Sequence, residues 1–400
     1  MREVSQEVLD ALTGDRSGDR LLVVPWYDGL PTWDGPLEIS SWSLDWDRRR
    51  QVQCQMSLDV VDEDGRLSPW RMDDTLSVGG ARLSCALAFG GLDTEVDIGT
   101  YRITGADVSQ SMEYQYVIRG FTEDGDGDMA SDVPVVWTTS GTVGIEAQDE
   151  TVGVQLAAFI NPESVVHSGS IVAEIERLLD GIIPVVVDDA VVDGSVPSRI
   201  TYEGGRIDAL GSLVRALGAQ YRVSSDSQLY IYPSEPGAPV WTIEPGERGV
   251  LVDFARAFRA QDLPNVMVVE GRSDSDDRPL IGVARETTGP LRYDGPHGLV
   301  PARRQSDILN TQAKVDAAAR TYLNAAIQDR ALVVPITCLP NPALEVGDVV
   351  TLATPLGDLT GPVETMRLSG SASGLHPMQI SVTVDYEQAA LMGRRMSGNV

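Results

Sequence analysis

From Leu21 to about Glu123 apolar residues return at every second position, and this alternation limits the chain more than any other feature. Trp42, Leu44 and Trp46 alternate with polar neighbours, as do Val52, Cys54, Met56, Leu58 and Val60. Leu83, Cys85, Leu87 and Phe89 continue the pattern, followed by Tyr101 with Ile103 and by Tyr114, Tyr116 and Ile118. A period of two places alternate side chains on opposite faces of a strand, so each run predicts a strand with one buried face. Turns rich in Gly and Asp, such as Asp62-Glu63-Asp64-Gly65, separate the runs. Several such strands in succession predict an antiparallel barrel or sandwich.

Helical spacing interrupts this pattern. A short helix is expected over Glu3–Leu12, followed by a polar linker to residue 20. A second, Ser170–Leu179, carries Ile171, Ile175, Leu178 and Leu179 on one stripe and precedes a buried strand, Ile182–Val187. Strand Arg199–Tyr202 and a Gly204-Gly205 turn lead into a third helix, with Ile207, Leu210, Val214 and Leu217 on one side. Gly218 is placed to end that helix in the left-handed conformation. A hairpin then pairs Gln220–Ser224 with Gln228–Tyr232, which completes a small α+β unit.

Strands are expected again at Val240–Ile243 and Asn265–Glu270, with residues 271–310 rich in loops. A helix over 311–329 carries the stripe Val315, Ala318, Ala319, Tyr322, Leu323 and Ala326, with Asn310 or Thr311 as its cap. Strand Ala331–Thr337 follows. The turn Leu339-Pro340-Asn341-Pro342 then feeds Ala343-Leu344-Glu345-Val346-Gly347-Asp348-Val349-Val350, and closing strands are expected at Val363–Leu368 and Gln379–Asp385. The expected organisation is an N-terminal helix and linker (1–20), a first β domain (21–123), a partly β connection (124–164), the α+β module (165–236), a second β domain (237–386) and a tail (387–400).

The chain has 31 basic and 59 acidic residues in 400, a formal net charge of −28. A duplex-binding protein needs a basic surface to displace counterions from phosphates. The densest basic runs, Arg48-Arg49-Arg50, Arg303-Arg304 and Arg394-Arg395, are short. Lys314 is the only lysine, which points to a GC-rich coding bias. An acidic wall past which DNA slides without sticking is compatible with this balance, as is acidity that serves solubility. Residues 1–8 do not read as a secretory leader. The most apolar run, Ile182–Val187, falls far short of the ~20 residues of a membrane span, so no membrane insertion is expected. Cys54, Cys85 and Cys338 fall in expected strands without paired spacing and are expected to be buried free thiols. The chain is expected to be made in a cytoplasm and to need no disulfide.

No residue constellation for catalysis stands out. In Asp124-Gly125-Asp126-Gly127-Asp128 carboxylates alternate as in a calcium loop, but Met129 stands where that pattern needs Gly and Val135 where it needs Glu. A solvated acidic loop is the better reading, and Asp188-Asp189 with Asp193 and Asp274–Asp277 read as turns. His167, His297 and His376 lack metal-ligand spacing. No nucleophile elbow or phosphate-binding glycine loop occurs. No catalytic residue, metal or cofactor is therefore expected. Trp26, Trp33, Trp42, Trp46 and Trp70 cluster in the first β region; Trp42 and Trp46 read as core, which leaves Trp26, Trp33 and Trp70 as possible sugar platforms.

Three stretches carry a family resemblance. They are Arg50–Gly65 with Val96-Asp97-Ile98-Gly99-Thr100-Tyr101-Arg102-Ile103, then Gly205–Tyr232, and then Asn265–Gly271 with Thr311–Val350. Taken in order, they resemble the first barrel, the helix-plus-hairpin module and the second barrel of tail-tip or baseplate hub proteins of tailed phages. The resemblance is in particular to minor tail proteins of long-tailed phages with high-GC hosts, and the stretch 124–165 is not assigned to any part of it.

The resemblance implies a mainly β fold, with two tail-hub-type antiparallel β-barrels flanking a small α+β module. It also implies a non-enzymatic virion protein, assembled in the host cytoplasm. As a homotrimer, two barrels per subunit would form a pseudo-six-fold ring. That ring would join the six-fold tail tube or distal tail protein to three-fold spike or fibre proteins and surround DNA that passes without specific binding. The alternative is a tail-borne glycan-binding protein or glycoside hydrolase.

Overall fold

A computed structural model describes residues 1–400 except 3, 13–17, 90–91, 93, 117–133, 197–199, 248, 256–262, 273–277, 306–310, 329–330, 386–387, 389 and 392–400. The chain divides into two compact units. The first comprises Met1–Asp253, Ile336–Val350 and Pro362–Ser381; the second comprises Phe254–Pro335, Thr351–Gly361 and Val382–Val400.

The first unit opens with α1 (Gln6–Ala11), shorter than expected. The strands β1 (Arg20–Tyr27), β2 (Leu30–Pro31), β3 (Ile39–Asp47), β4 (Cys54–Asp62), β5 (Arg82–Ala88), β6 (Glu95–Tyr116) and β7 (Pro134–Asp149) follow. They pair antiparallel in the order β3-β4-β7-β6-β5-β1-β2. Alternation sets the register: Trp42, Leu44 and Trp46 face Leu58, Met56 and Cys54 across the β3–β4 ladder, and all six are buried. On the far side of β3, Thr365–Ser371 pairs antiparallel with Ser41–Asp47.

Two differences from expectation arise here. The connection expected over 124–164 to be only partly β contains one long strand, β7. It pairs with β6 from Tyr101↔Asp149 to Tyr116↔Pro134, with shifts in register at Ile103/Gly105 and Gln115/Tyr116. Bulges let so long a ribbon bend without ending.

The second difference concerns closure. Among the described residues the ladders do not return to their start, so the expected barrel is an open antiparallel sheet. The hairpin to β2 occupies one end of the free edge of β1. The segment leading to β3 adds one backbone bond to that edge, from Leu37 N–H to the Val23 carbonyl (2.8 Å).

The α+β part begins with α2 (Thr151–Leu156) and the short β8 (Glu163–Ser164), which pairs with β10 (Thr201–Tyr202). Between them lie α3 (Ile171–Leu179) and β9 (Val185–Val187). Next come α4 (Arg206–Ala216), β11 (Ala219–Val223) and β12 (Leu229–Pro233). β12 pairs antiparallel with β11 and parallel with β9. Ile175, Leu178, Leu210, Val214, Leu229 and Ile231 fill a common core, which bears out the helical stripes. Gly218 is left-handed (φ +64°), as expected for a residue that ends a helix.

β13 (Trp241–Ile243) and β14 (Leu251–Phe254) lead towards the second unit. There β15 (Val266–Arg272) lies between β16 (Pro279–Arg285), antiparallel, and β17 (Pro301–Gln305), parallel. α5 (Gln312–Gln328) covers one face of this sheet. Its Val315, Ala319 and Leu323 are buried against Met267, Val269 and Ala284, with Ala318, Tyr322 and Ala326 packed at the margin. The whole expected stripe is used. β18 (Ala331–Cys338), β19 (Val349–Thr354), β20 (Gly357–Ser371), β21 (Gly374–Leu375) and β22 (Met378–Asp385) complete the chain. The fold is mainly β, as expected, with a large antiparallel sheet and small helices.

Candidate functional site

The first unit contains a buried ionic clasp built on the turn that follows Leu339. Glu345 and Asp348 are only 6% and 8% exposed. The Asp348 carboxylate accepts the Glu345 backbone N–H (2.9 Å), and the Asp348 N–H donates to the Glu345 carbonyl (3.2 Å). Gly347 between them has φ +90°, and an added Cβ would lie 2.5 Å from the Tyr232 hydroxyl. Only glycine meets both demands, a left-handed backbone and a close approach. The Gly-Asp pair singled out in the sequence is therefore a turn that lets two carboxylates point inwards.

Arg222, on β11, answers them. Its guanidinium lies 2.8 Å from Glu345 and 3.7 Å from Asp348, and it is stacked over the Tyr230 and Tyr232 rings at 5.4 and 5.3 Å. A planar, weakly hydrated cation is suited to such a site. Arg2 brings a second guanidinium, 3.7 Å from Glu345, and donates to the carbonyls of Pro342 (2.8 Å) and Ile98 (3.2 Å). The Met1 amino group lies 2.6 Å from Asp348. Four segments remote in sequence thus meet at one charged knot. No sequence pattern pointed to Arg222 or Glu345, because nothing local pairs them.

Beside the clasp, Asp149 accepts the Cys54 N–H (2.6 Å), the Thr151 N–H (2.9 Å) and the Thr151 hydroxyl. Burial pushes its carboxyl up, against the downward pull of these bonds. Burial, and then the neighbouring Asp149, pushes the Cys54 thiol well above its ordinary range. Burial also raises Cys85, and brings Cys338 up to about 12. All three are buried free thiols, as expected. At neutral pH they are protonated, which gives none of them the thiolate that nucleophilic chemistry needs.

The acidic residues read as turns have structural work. Asp188 accepts the Ala190 N–H (2.9 Å) and the Tyr230 hydroxyl. Asp193 accepts the N–H groups of Ile171 (3.0 Å) and Val172 (3.1 Å) and the Ser170 hydroxyl (2.6 Å), so it anchors the start of α3. Burial raises its carboxyl, but these bonds outweigh burial and hold it below the usual range. A depressed carboxyl stabilises the fold at neutral pH, and that contribution is lost as pH falls below about 4 through the folded-state value. Asp193→Asn keeps an oxygen for the cap and is expected to flatten the acid limb of a urea-denaturation profile between pH 5 and 2. Asp193→Ala is expected to cost about 1 kcal/mol at pH 7. An unchanged acid limb in the Asn variant would count against this account.

Of the tryptophans, Trp42 and Trp46 are core, as expected, Trp26 and Trp33 are half-buried, and Trp70 is 81% exposed. No group of three or more His, Cys, Asp or Glu among the described residues could hold a metal ion. The loops 124–128 and Asp274–Asp277, and Arg394-Arg395, lie outside the described residues.

Charge divides sharply between the units. The second holds 13 of the 31 basic and 13 of the 59 acidic residues, a net charge of zero. The first holds the remaining 18 basic and 46 acidic residues, so the entire −28 belongs to it.

No family model and no curated protein matches this sequence. Solved structures do match. A tail protein from Neisseria meningitidis is similar over 91% of this chain and 97% of its own, with a TM-score of 0.56 at 14% identity. The 43 kDa tail protein of prophage MuSo2 from Shewanella oneidensis is similar over 90% of this chain and 98% of its own, with a TM-score of 0.58 at 11% identity. The resemblance to phage tail proteins read in the sequence is therefore present in the fold, along nearly the whole chain.

Proposed function

We propose that this chain is a structural component of a phage tail, a homotrimeric hub at the tail tip. The observation that carries the reading is the end-to-end likeness to two phage tail proteins, with about nine-tenths of this chain and almost all of each of those chains covered. Three subunits, each contributing two β regions, would join the six-fold tube or distal tail protein to three-fold spike or fibre proteins, with DNA passing through the centre. The large antiparallel sheet of the first unit would supply its β surface to the ring. The role needs no catalysis.

Charge supports the channel. An arginine-lined bore would release counterions and hold phosphate, whereas an acidic one repels DNA within a Debye length of ~8–10 Å. The expected result is a bore lined by Asp and Glu of the first unit. Native mass spectrometry of the purified chain tests the stoichiometry, with a trimer expected, and electron microscopy of tails tests the location and the bore. A stable monomer absent from tails would overturn the hub, and a basic bore would overturn the reading of the charge.

A further inference from the structure

The sheet of the second unit has two unlike faces. α5 covers the one that carries Met267, Val269 and Ala284. On the opposite face Ile281 and Val283 stand in the middle of β16, 54% and 42% exposed. They lie in register with Glu270 and Val268 of β15, and Val268 in turn lies beside Arg303 of β17. Arg303 is 3.3 Å from Glu270, and Arg285 is stacked over Tyr293 at 5.7 Å. A sheet face turned to water ordinarily alternates to polar residues. This one is apolar at its centre and has arginines at its rim, the anatomy of a protein–protein contact.

We propose that this face docks on the acidic first unit of a second copy of the chain. The proposal rests on the trimeric reading and assigns the subunit contact within it. Contacts around a ring are heterologous, so one patch of each copy meets a different patch of the next. A contact between two first units would bring together surfaces that each carry the full −28, and like charge across an interface is disfavoured. The second unit is neutral overall and offers arginines beside an apolar centre, so second unit against first unit is the pairing in which attraction replaces repulsion. Arginine at such a rim can form bidentate bonds to the neighbour's carboxylates.

The test uses the whole purified chain. Ile281→Glu and Val283→Glu put a carboxylate at the centre of the face, where it would be desolvated opposite acidic residues. Each is expected to weaken self-association measured by sedimentation by at least about tenfold, with an unchanged melting temperature at dilutions where wild type and variant are both monomeric, because both positions are exposed. A photo-crosslinking amino acid at position 283, in a mixture of isotopically labelled and unlabelled copies, is expected to join peptides of the first unit of the other copy. If the wild type associates but the variants associate equally well, or the crosslinks join second units to each other, the docking assignment falls and the trimer stands. A wild type that stays monomeric removes the trimer and this contact together.

Discussion

Replacing Arg222 with alanine is expected to destabilise the first unit by about 3–5 kcal/mol, the usual cost of removing one partner of a buried ion pair. Glu345 and Asp348 are almost fully buried, and Arg222 is the guanidinium nearest to Glu345. Without it, Glu345 keeps only longer contacts, 3.7 Å to Arg2 and 3.6 Å to the Met1 amino group, which also holds Asp348 at 2.6 Å. The aromatic faces of Tyr230 and Tyr232 would lose their cation as well. Arg222→Lys retains the charge but not the planar fork, and is expected to fall between the alanine variant and wild type. The double variant Arg222→Ala/Glu345→Gln separates pairing from packing. If the penalty is that of an uncompensated carboxylate, the double variant is more stable than the arginine variant alone. Urea denaturation followed by tryptophan fluorescence measures all four proteins. A loss below about 1 kcal/mol, the value of an exposed pair, would show that water reaches the clasp.

The sequence made some of this architecture legible and hid the rest, for physical reasons. Alternation marked β3, β4 and β5 because one face of each is buried and the other is not. The α5 stripe was equally plain, since the residues that return every three or four positions are the ones the sheet covers. β16 and β17 gave no such pattern and fell within a stretch expected to be loop. β16 has Gly282 at its centre and exposed apolar residues on its outer face, while β17 carries Arg303-Arg304 where an apolar run would be sought. Asn265, expected to begin a strand, is instead fully buried. Its side chain donates to the carbonyls of Leu291 (2.9 Å) and Gly298 (2.7 Å) and accepts the Val300 N–H (2.9 Å). One amide thus organises the loop that β-branched neighbours had obscured.

The clasp was legible in half. Gly347-Asp348 reads in the sequence as the entry to a strand that the proline turn feeds; the structure adds that this glycine and this capping carboxylate answer a local demand of the backbone. Its partner Arg222 does not stand out, because an ion pair between segments far apart leaves no periodic trace. Nor could the sequence by itself assign the −28 to one unit, since the second unit is assembled from three separate stretches. The charge division becomes visible only once those stretches are grouped.

Gly282→Val is expected to damage the second unit as Arg222→Ala damages the first, by a different physics. A Cβ at position 282 would lie 2.6 Å from the Val315 carbonyl oxygen and 2.9 Å from its Cγ1. The obstruction is helix backbone, which cannot swing aside as a side-chain tip can, so α5 must lift from the sheet. Val315, Ala319 and Leu323 share their core with Met267, Val269 and Ala284, and lifting one end loosens all of them. Overpacking of this kind typically costs about 1–3 kcal/mol, and valine adds branches beyond the Cβ that already collides. Amide hydrogen exchange is the fitting readout, because it reports each unit separately. Faster exchange is expected in β15, β16 and α5, with β3, β4 and β7 unchanged. Gly282→Ala is expected to give a smaller effect of the same kind. The comparison with Val283→Glu is decisive, since residue 283 stands on the uncovered face of the same strand. That variant is expected to leave exchange in α5 alone and change only association. If both substitutions altered exchange in α5 equally, the two faces of the sheet would not be independent, and the uncovered one would have to be counted as core.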